Sequence, residues 1–162
     1  MSKFIQNKDT IKNLSFKYRK SNKKVALAHG VFDVIHLGHL DYFREAKELA
    51  DILIVSVTAD KYVDKGLNKP FFNEKDRAYF LTSLEMVDHV IINHHKNSYD
   101  LINLIKPDFY VKGPDYKKKS GDVAGNLSKE KRAVIKGGGK IHFTSGRQYS
   151  SSKIINEKLD FL

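Results

Sequence analysis

The run DILIVSVT at residues 51–58 is apolar almost without a break. A strand with one wet face alternates apolar and polar side chains, so an unbroken run of this length belongs to a strand covered on both faces, as in a parallel sheet. KVALA at 24–28 reads the same way. Between the two, HLDYFREAKELA sets Leu40, Tyr42, Phe43, Ala46 and Leu49 at helical spacing, with charged residues on the other side. Strand, helix and strand within residues 24–58 make one βαβ unit, whose crossover is right-handed.

The rest of the chain repeats this alternation. Residues 9–20 predict a short helix with Asp9 as its N-cap and Ile11, Leu14, Phe16 and Tyr18 as a loose apolar face. Residues 60–73 carry Gly66, Pro70 and several charges and predict an exposed loop. Asn73 caps a helix with Ala78, Phe80, Leu81 and Leu84 turned inward, and residues 87–92 form a third strand. Ser98 caps a short helix that Pro107 stops, and residues 108–112 form a fourth strand ending in Gly113-Pro114-Asp115-Tyr116. A polar, basic loop follows, then a helix from Ser128 to the Gly137–Gly139 run, a fifth strand at 140–144, and a last helix starting in Ser150-Ser151-Ser152. The expected fold is a single-domain α/β structure: a doubly wound, Rossmann-like, five-stranded parallel sheet with helices on both faces. An N-terminal helix and connector (1–23) precede its body (24–162). Ligands of such sheets lie outside the carboxyl ends of the strands, where the winding reverses. Polar residues gather at four such ends, residues 30–33, 58–60, 113–116 and 145–147.

The first of these ends is the turn HGVFDVIHLGH, residues 29–39. With a helix starting near Leu37, His36 and His39 are three residues apart and project from one side of its first turn, beside backbone N–H groups that no helical carbonyl satisfies. Free amides and the positive end of the helix dipole favour phosphate, and Gly38 leaves room for an anion or a ring near the backbone.

Composition narrows the alternatives. The chain has 162 residues and no cysteine, which excludes a disulfide framework, a thiolate metal site and a cysteine nucleophile. The N-terminus lacks a signal-like apolar core, and no run approaches the ~18 apolar residues of a membrane span, so a soluble, cytoplasmic protein is expected. Lys and Arg number 29 against 19 Asp and Glu, a net charge of +10. That excess admits a basic nucleic-acid-binding module as a competing reading. The lysines are scattered, however, and aromatic residues are not interleaved with them as stacking platforms, so neither nucleic acid nor membrane is expected as a partner. A funnel for a small polyanionic substrate accounts for the charge equally well. A sheet that binds nucleotide without turnover is a third reading. His29, His89 and His142 read as structural, and His94-His95 as a solvated turn without a third metal ligand nearby.

With these segments placed, the sequence resembles the HxGH nucleotidylyltransferases of the cytidylyltransferase-like group, from Val25 to about Asn156. It is most similar to the adenylyltransferase part of ADP-heptose synthesis enzymes, through GVFDVIHLGH, DKGLNKP, VKGPDY and YSSSKII. Glycerol-3-phosphate cytidylyltransferase is similar over the same span. The resemblance implies transfer of NMP from ATP or CTP to a phosphorylated sugar or polyol, with release of pyrophosphate. It also implies Mg²⁺ carried by the NTP phosphates rather than by protein side chains, and a homodimer.

Under that resemblance His36, His39 and Lys65 are the catalytic candidates. Nucleotide contacts fall on Gly30, Val31, Phe32, Asp33, Gly38, Arg77, Gly113, Asp115, Tyr116 and the helix-starting Ser150, Ser151 and Ser152. Acceptor contacts fall on Asp60, Lys112 and Arg147. The sequence departs from the glycerol-phosphate enzymes twice: Ser145-Gly146 stand where those have Arg-Thr, and Pro114 stands where they have an acidic residue. The nucleotide stays open between ATP and CTP, with ATP favoured.

Overall fold

The computed structural model describes residues 3–64, 66, 70–117 and 126–158. Its elements alternate as expected: β1 (Phe4–Ile5), α1 (Lys8–Lys20), β2 (Val25–Gly30), α2 (Leu37–Glu48), β3 (Ile52–Thr58), α3 (Glu74–Thr82), β4 (His89–Asn93), α4 (Tyr99–Ile105), β5 (Phe109–Lys112), α5 (Leu127–Lys136), β6 (Lys140–Phe143) and α6 (Ser151–Lys158). The described strands form one parallel sheet in the order β1-β4-β3-β2-β5-β6. It has six strands rather than five. The extra one, β1, is two residues long and pairs Phe4 with Val90 and Ile5 with Ile91; a segment this short carries no period for sequence reading to detect.

Every residue of β3 is buried, as its unbroken apolar run requires. One face of the sheet packs Leu53, Val55 and Val57 against Phe43 and Ala46 of α2 and Ala78 and Leu81 of α3. The other packs Leu27 and Ile54 against Ile11 and Leu14 of α1, Leu101, Ile102 and Ile105 of α4, and Val134 of α5. The N-terminal helix is thus laid onto the sheet and contributes to its core. Strands β2, β3 and β4 step outward in one direction and β5 and β6 in the other, so the winding reverses between β2 and β5. Among the described residues no helix is long and apolar enough to cross a membrane.

Several local expectations are corrected. Asn7, not Asp9, caps α1, its Oδ1 accepting from Thr10 N at 2.8 Å, while Asp9 sits in the first turn. Phe16 and Phe80 face outward, 52% and 51% exposed. The inward positions of α3 are Ala78, Leu81 and, unexpectedly, Arg77. Asn73 does cap α3, accepting from Lys75 N and Asp76 N. Ser98 holds the cap position of α4, yet its hydroxyl is committed to Glu130 and Tyr110 instead of the helix. Helix α5 starts one residue earlier than Ser128, with Asn126 in the cap position.

Candidate functional site

His36 is the N-cap of α2: its backbone is extended (φ −140°, ψ 171°) and its Nδ1 accepts from His39 N at 3.3 Å. This cap folds the His36 ring back over the first turn, where it stacks on the His39 ring with centroids 3.8 Å apart and planes 11° from parallel. Burial lowers the His36 pKa, which suits close stacking because two adjacent imidazolium cations repel. The structure therefore brings together the two histidines singled out in the sequence.

The turn that leads to them is held from below. Phe32 adopts a left-handed backbone (φ 52°), a conformation that side chains rarely tolerate and that clusters at functional sites. Its ring is buried, edge-on to His39 at 5.4 Å. A Cβ on Gly30 would lie 2.9 Å from that ring. Phe32 is thus a brace for His39, and Gly30 is small to admit the brace. Asp33 is likewise turned inward, its carboxylate accepting from Phe71 N (2.8 Å) and Phe72 N (2.9 Å), which ties the 70–73 segment to the histidine turn.

Arg77 does not reach toward phosphates. Its side chain is fully buried, with Nε donating to Phe72 O (2.9 Å), Nη1 to Val31 O, and Nη2 to Thr58 O (2.8 Å) and Asp60 Oδ1 (2.6 Å). One guanidinium thus joins the histidine turn, the end of β3 and the loop before α3. Asp60 is spent on this cage, since its other oxygen accepts from Glu74 N at 3.1 Å while Glu74 in turn accepts from Asp60 N at 2.7 Å.

The segment after β6 docks on α2. A Cβ on Gly38 would meet the Arg147 carbonyl at 2.7 Å, so this glycine is required by a packed backbone and not by an anion, as its sequence context had implied. Arg147 makes a two-pronged pair with Asp41, Nε to Oδ2 at 2.6 Å and Nη2 to Oδ1 at 2.9 Å, and these hydrogen bonds pull the Asp41 pKa to about 2. Arg147 is therefore a clasp rather than a free acceptor ligand. Ser145 N and His142 Nε2 both bond Glu45, extending the same seam along α2. The docked segment lays Tyr149 on His36, ring centroids 5.7 Å apart. Ser151 Oγ donates to Val34 O at 2.9 Å, and Ser150 Oγ caps α6 by accepting from Lys153 N. The serine segment and the histidine turn are hence adjacent. The side chain of Ser152, and Lys65 altogether, lie outside the described residues.

Across the winding reversal, the end of β5 departs from expectation too. Lys112 is buried and pairs with Glu130 at 3.2 Å, so it does not present its ammonium to an acceptor. A Cβ on Gly113 would lie 2.5 Å from Asp115 Oδ1, which shows Asp115 folded over that glycine. Tyr116 follows in a short 3-10 turn, Pro114–Lys117, and is half-buried. His29, beside Gly30, bonds Ser56 Oγ at 3.0 Å, and burial followed by the Lys112 charge lowers its pKa to about 4. His89 bonds Tyr18 Oη at 2.6 Å. Outside the ends of β3 and β4 lies a hollow of about 590 Å³ lined by Ala59, Asp60, Lys61, Asn73, Glu74, Lys75 and His94. Among the described residues no group of three or more His, Cys, Asp and Glu side chains could hold a metal ion.

Sequence reading missed Tyr149, Asp41 and Glu130. Tyr149 opens the YSSSKII segment and was available to it. Asp41 and Glu130 are charges on helices, and their partners, Arg147 after β6 and Lys112 on β5, come from distant parts of the chain.

The parallel doubly wound sheet thus carries a two-histidine helix N-terminus at its winding reversal. The chain belongs to the cytidylyltransferase-like family, whose model matches residues 27–157. It is 43% identical over 133 residues to the bifunctional protein HldE of Nitratiruptor sp., covering 81% of this chain and 29% of that protein. HldE of Helicobacter pylori strain J99 is 38% identical over 140 residues, or 85% and 28%. The chain thus spans less than a third of these relatives. Among solved structures, a lipopolysaccharide core biosynthesis protein from Thermoplasma volcanium superposes with a TM-score of 0.61 at 29% identity, covering 79% of this chain and 99% of that one. Pantoate-beta-alanine ligase from Francisella tularensis shares the fold, with a TM-score of 0.66 at 16% identity, covering 96% of this chain and 73% of that one.

Proposed function

We propose that the chain transfers the AMP moiety of MgATP to the phosphate of a phosphorylated sugar or polyol. An oxygen of the acceptor phosphate attacks the α-phosphorus, the bond from that phosphorus to the bridging oxygen breaks, and pyrophosphate leaves with the charge. The metal enters as part of the MgATP substrate, carried by phosphate oxygens and water. Such a displacement needs positioning and charge stabilisation rather than covalent chemistry from the protein.

The observation that carries this reading is the stacked His36–His39 pair at the start of α2, beside the docked Tyr149–Ser151 segment. With Nδ1 of His36 engaged in the cap, its Nε2 edge and the His39 ring are the groups that stabilise the equatorial oxygens of the α-phosphate. The acceptor takes the hollow outside β3 and β4, where Lys61, Lys75 and His94 supply cationic or hydrogen-bonding contacts for its phosphate. The HldE relatives, and the resemblance to the adenylyltransferase part of ADP-heptose synthesis enzymes, support ATP and a sugar phosphate. A homodimer belongs to the same proposal and is read by light scattering.

The test is a matrix of MgATP and MgCTP against heptose, alditol and glycerol phosphates, read as pyrophosphate release. The expected result is release with ATP and a sugar phosphate, matched mole for mole by an NDP-linked product. Release with no pair in the matrix, or in a wider phosphate library, refutes the proposal.

A further inference from the structure

A buried polar cluster lies on the face of the sheet opposite α2, and the phosphate chemistry makes no use of it. Lys112 ends β5 one strand away from Gly30, at the winding reversal. Its ammonium stands 3.2 Å from Glu130 Oε2, 4.9 Å from the Tyr110 ring centroid and 4.6 Å from that of Tyr116. Glu130 Oε1 accepts from Ser98 N (3.2 Å) and Ser98 Oγ (2.7 Å), and Ser98 Oγ meets Tyr110 Oη at 2.5 Å. The lysine is 5% exposed and the glutamate 3%.

Burying an ion pair is a poor route to stability, because desolvation of the two charges offsets their attraction and an apolar pair of similar volume does as well or better. What this pair does have is an object. Among the described residues, Tyr116 is the one half-buried aromatic that the Lys112 ammonium touches, and it sits where β5 opens into the crevice between β2 and β5. The ammonium lies over one face of that ring. Glu130, fixed by Ser98 at the start of α4, keeps the ammonium from swinging out to water. The chain of contacts thus anchors a ring on a short 3-10 turn to two helices of the core.

We propose that Lys112, held by Glu130, is a positioning residue that fixes the Tyr116 ring as the platform for the base or ribose of the nucleotide. This rests on the reading of the crevice as the nucleotide site. A ring already locked in its bound orientation loses little freedom when the ligand arrives, so the contribution falls on nucleotide affinity rather than on the chemical step. A cation–π contact of ordinary strength corresponds to about a three- to thirtyfold change in affinity.

The test measures the MgATP dissociation constant by calorimetry without acceptor, then KM and kcat. Lys112→Met alone strands Glu130, so Lys112→Met/Glu130→Gln, which removes both charges together, is the principal variant, with thermal unfolding as a control on folding. Its dissociation constant and nucleotide KM rise about three- to thirtyfold, with the larger share of the loss in KM rather than kcat. Lys112→Arg, which keeps a cation over the ring, restores most of the affinity. In a Tyr116→Leu background the same pair of substitutions has no further effect. An unchanged dissociation constant overturns the proposal, and so does an equal loss with and without the Tyr116 ring, because Lys112 then does not act through it. Wild-type protein that binds neither MgATP nor MgCTP overturns the nucleotide-site reading itself, and this inference with it.

Discussion

Arg77→Met separates two roles that one arginine can have at a phosphate-handling site. A phosphate ligand costs affinity and little stability when removed, whereas a buried hub costs stability first. In the structure the guanidinium donates to the carbonyls of Phe72, Val31 and Thr58 and to Asp60, and its side chain is shielded from water. The Asp60 carboxylate is 38% exposed and finds water when the arginine is gone, so the ion pair itself contributes little. The three carbonyls are the larger loss: each hydrogen bond to a charged donor is worth ~1.5–3 kcal/mol, and water entering the vacated space recovers part of it. Summed over the three bonds and reduced by that water, the cost is about 3–5 kcal/mol. At ~2–4 °C per kcal/mol for a domain of this size, Tm falls by about 6–20 °C. Differential scanning calorimetry of Arg77→Met beside wild type reads the effect, and Arg77→Lys, which keeps one donor of four, falls between them. A Tm within about 2 °C of wild type, together with a tenfold loss of nucleotide affinity, refutes the hub assignment and returns Arg77 to the phosphates.

Gly38→Ala places a methyl group 2.7 Å from the Arg147 carbonyl, a backbone atom with nowhere to go; the overpacking costs about 1–3 kcal/mol, and loss of the docked segment raises protease cleavage near residues 145–150. Unchanged stability and unchanged cleavage contradict that packing. Stability also falls in mild acid. His29, His36 and His89 all have pKa values lowered by burial, His29 to about 4, so between their ordinary value near 6.5 and about 4 the unfolded chain binds more protons than the folded one. The folded state is therefore favoured above about pH 6.5 and loses stability as the pH drops, by roughly 3 kcal/mol from His29 alone. Unfolding curves from pH 7.5 to 4 check this, and His29→Asn flattens the dependence; an equal slope in that variant removes His29 as its cause.

The sheet was legible because β2 and β3 are buried on both faces and spell that burial out as continuous apolar runs. The histidine pair was legible because three residues on one helix are neighbours whatever the rest of the chain does. What failed to show has a common cause. Gly38 looked like a ligand gap because the Arg147 carbonyl that fills it lies 109 residues away in the chain, and only the docking of the β6 exit on α2 brings it there. Arg77 sat on a helix beside the expected phosphate site and read as a nucleotide contact, although its three carbonyl partners belong to three different segments. Lys112 and Glu130 are separate strand-end and helix charges in sequence, and the crossover from β5 to α5 makes them a pair. Glycines and charges report a tertiary neighbour, and sequence pattern names only local ones.

The central claim is that His36 and His39 stabilise charge on a transferring phosphoryl group. The most direct measurement is pre-steady-state pyrophosphate release by wild type and His39→Ala with saturating MgATP and a sugar phosphate, alongside the MgATP dissociation constant of each. The expected rate is about a hundredfold or more lower in His39→Ala with the dissociation constant changed only a few-fold, as for a donor that acts mainly in the transition state. An unchanged release rate in His39→Ala contradicts the central claim.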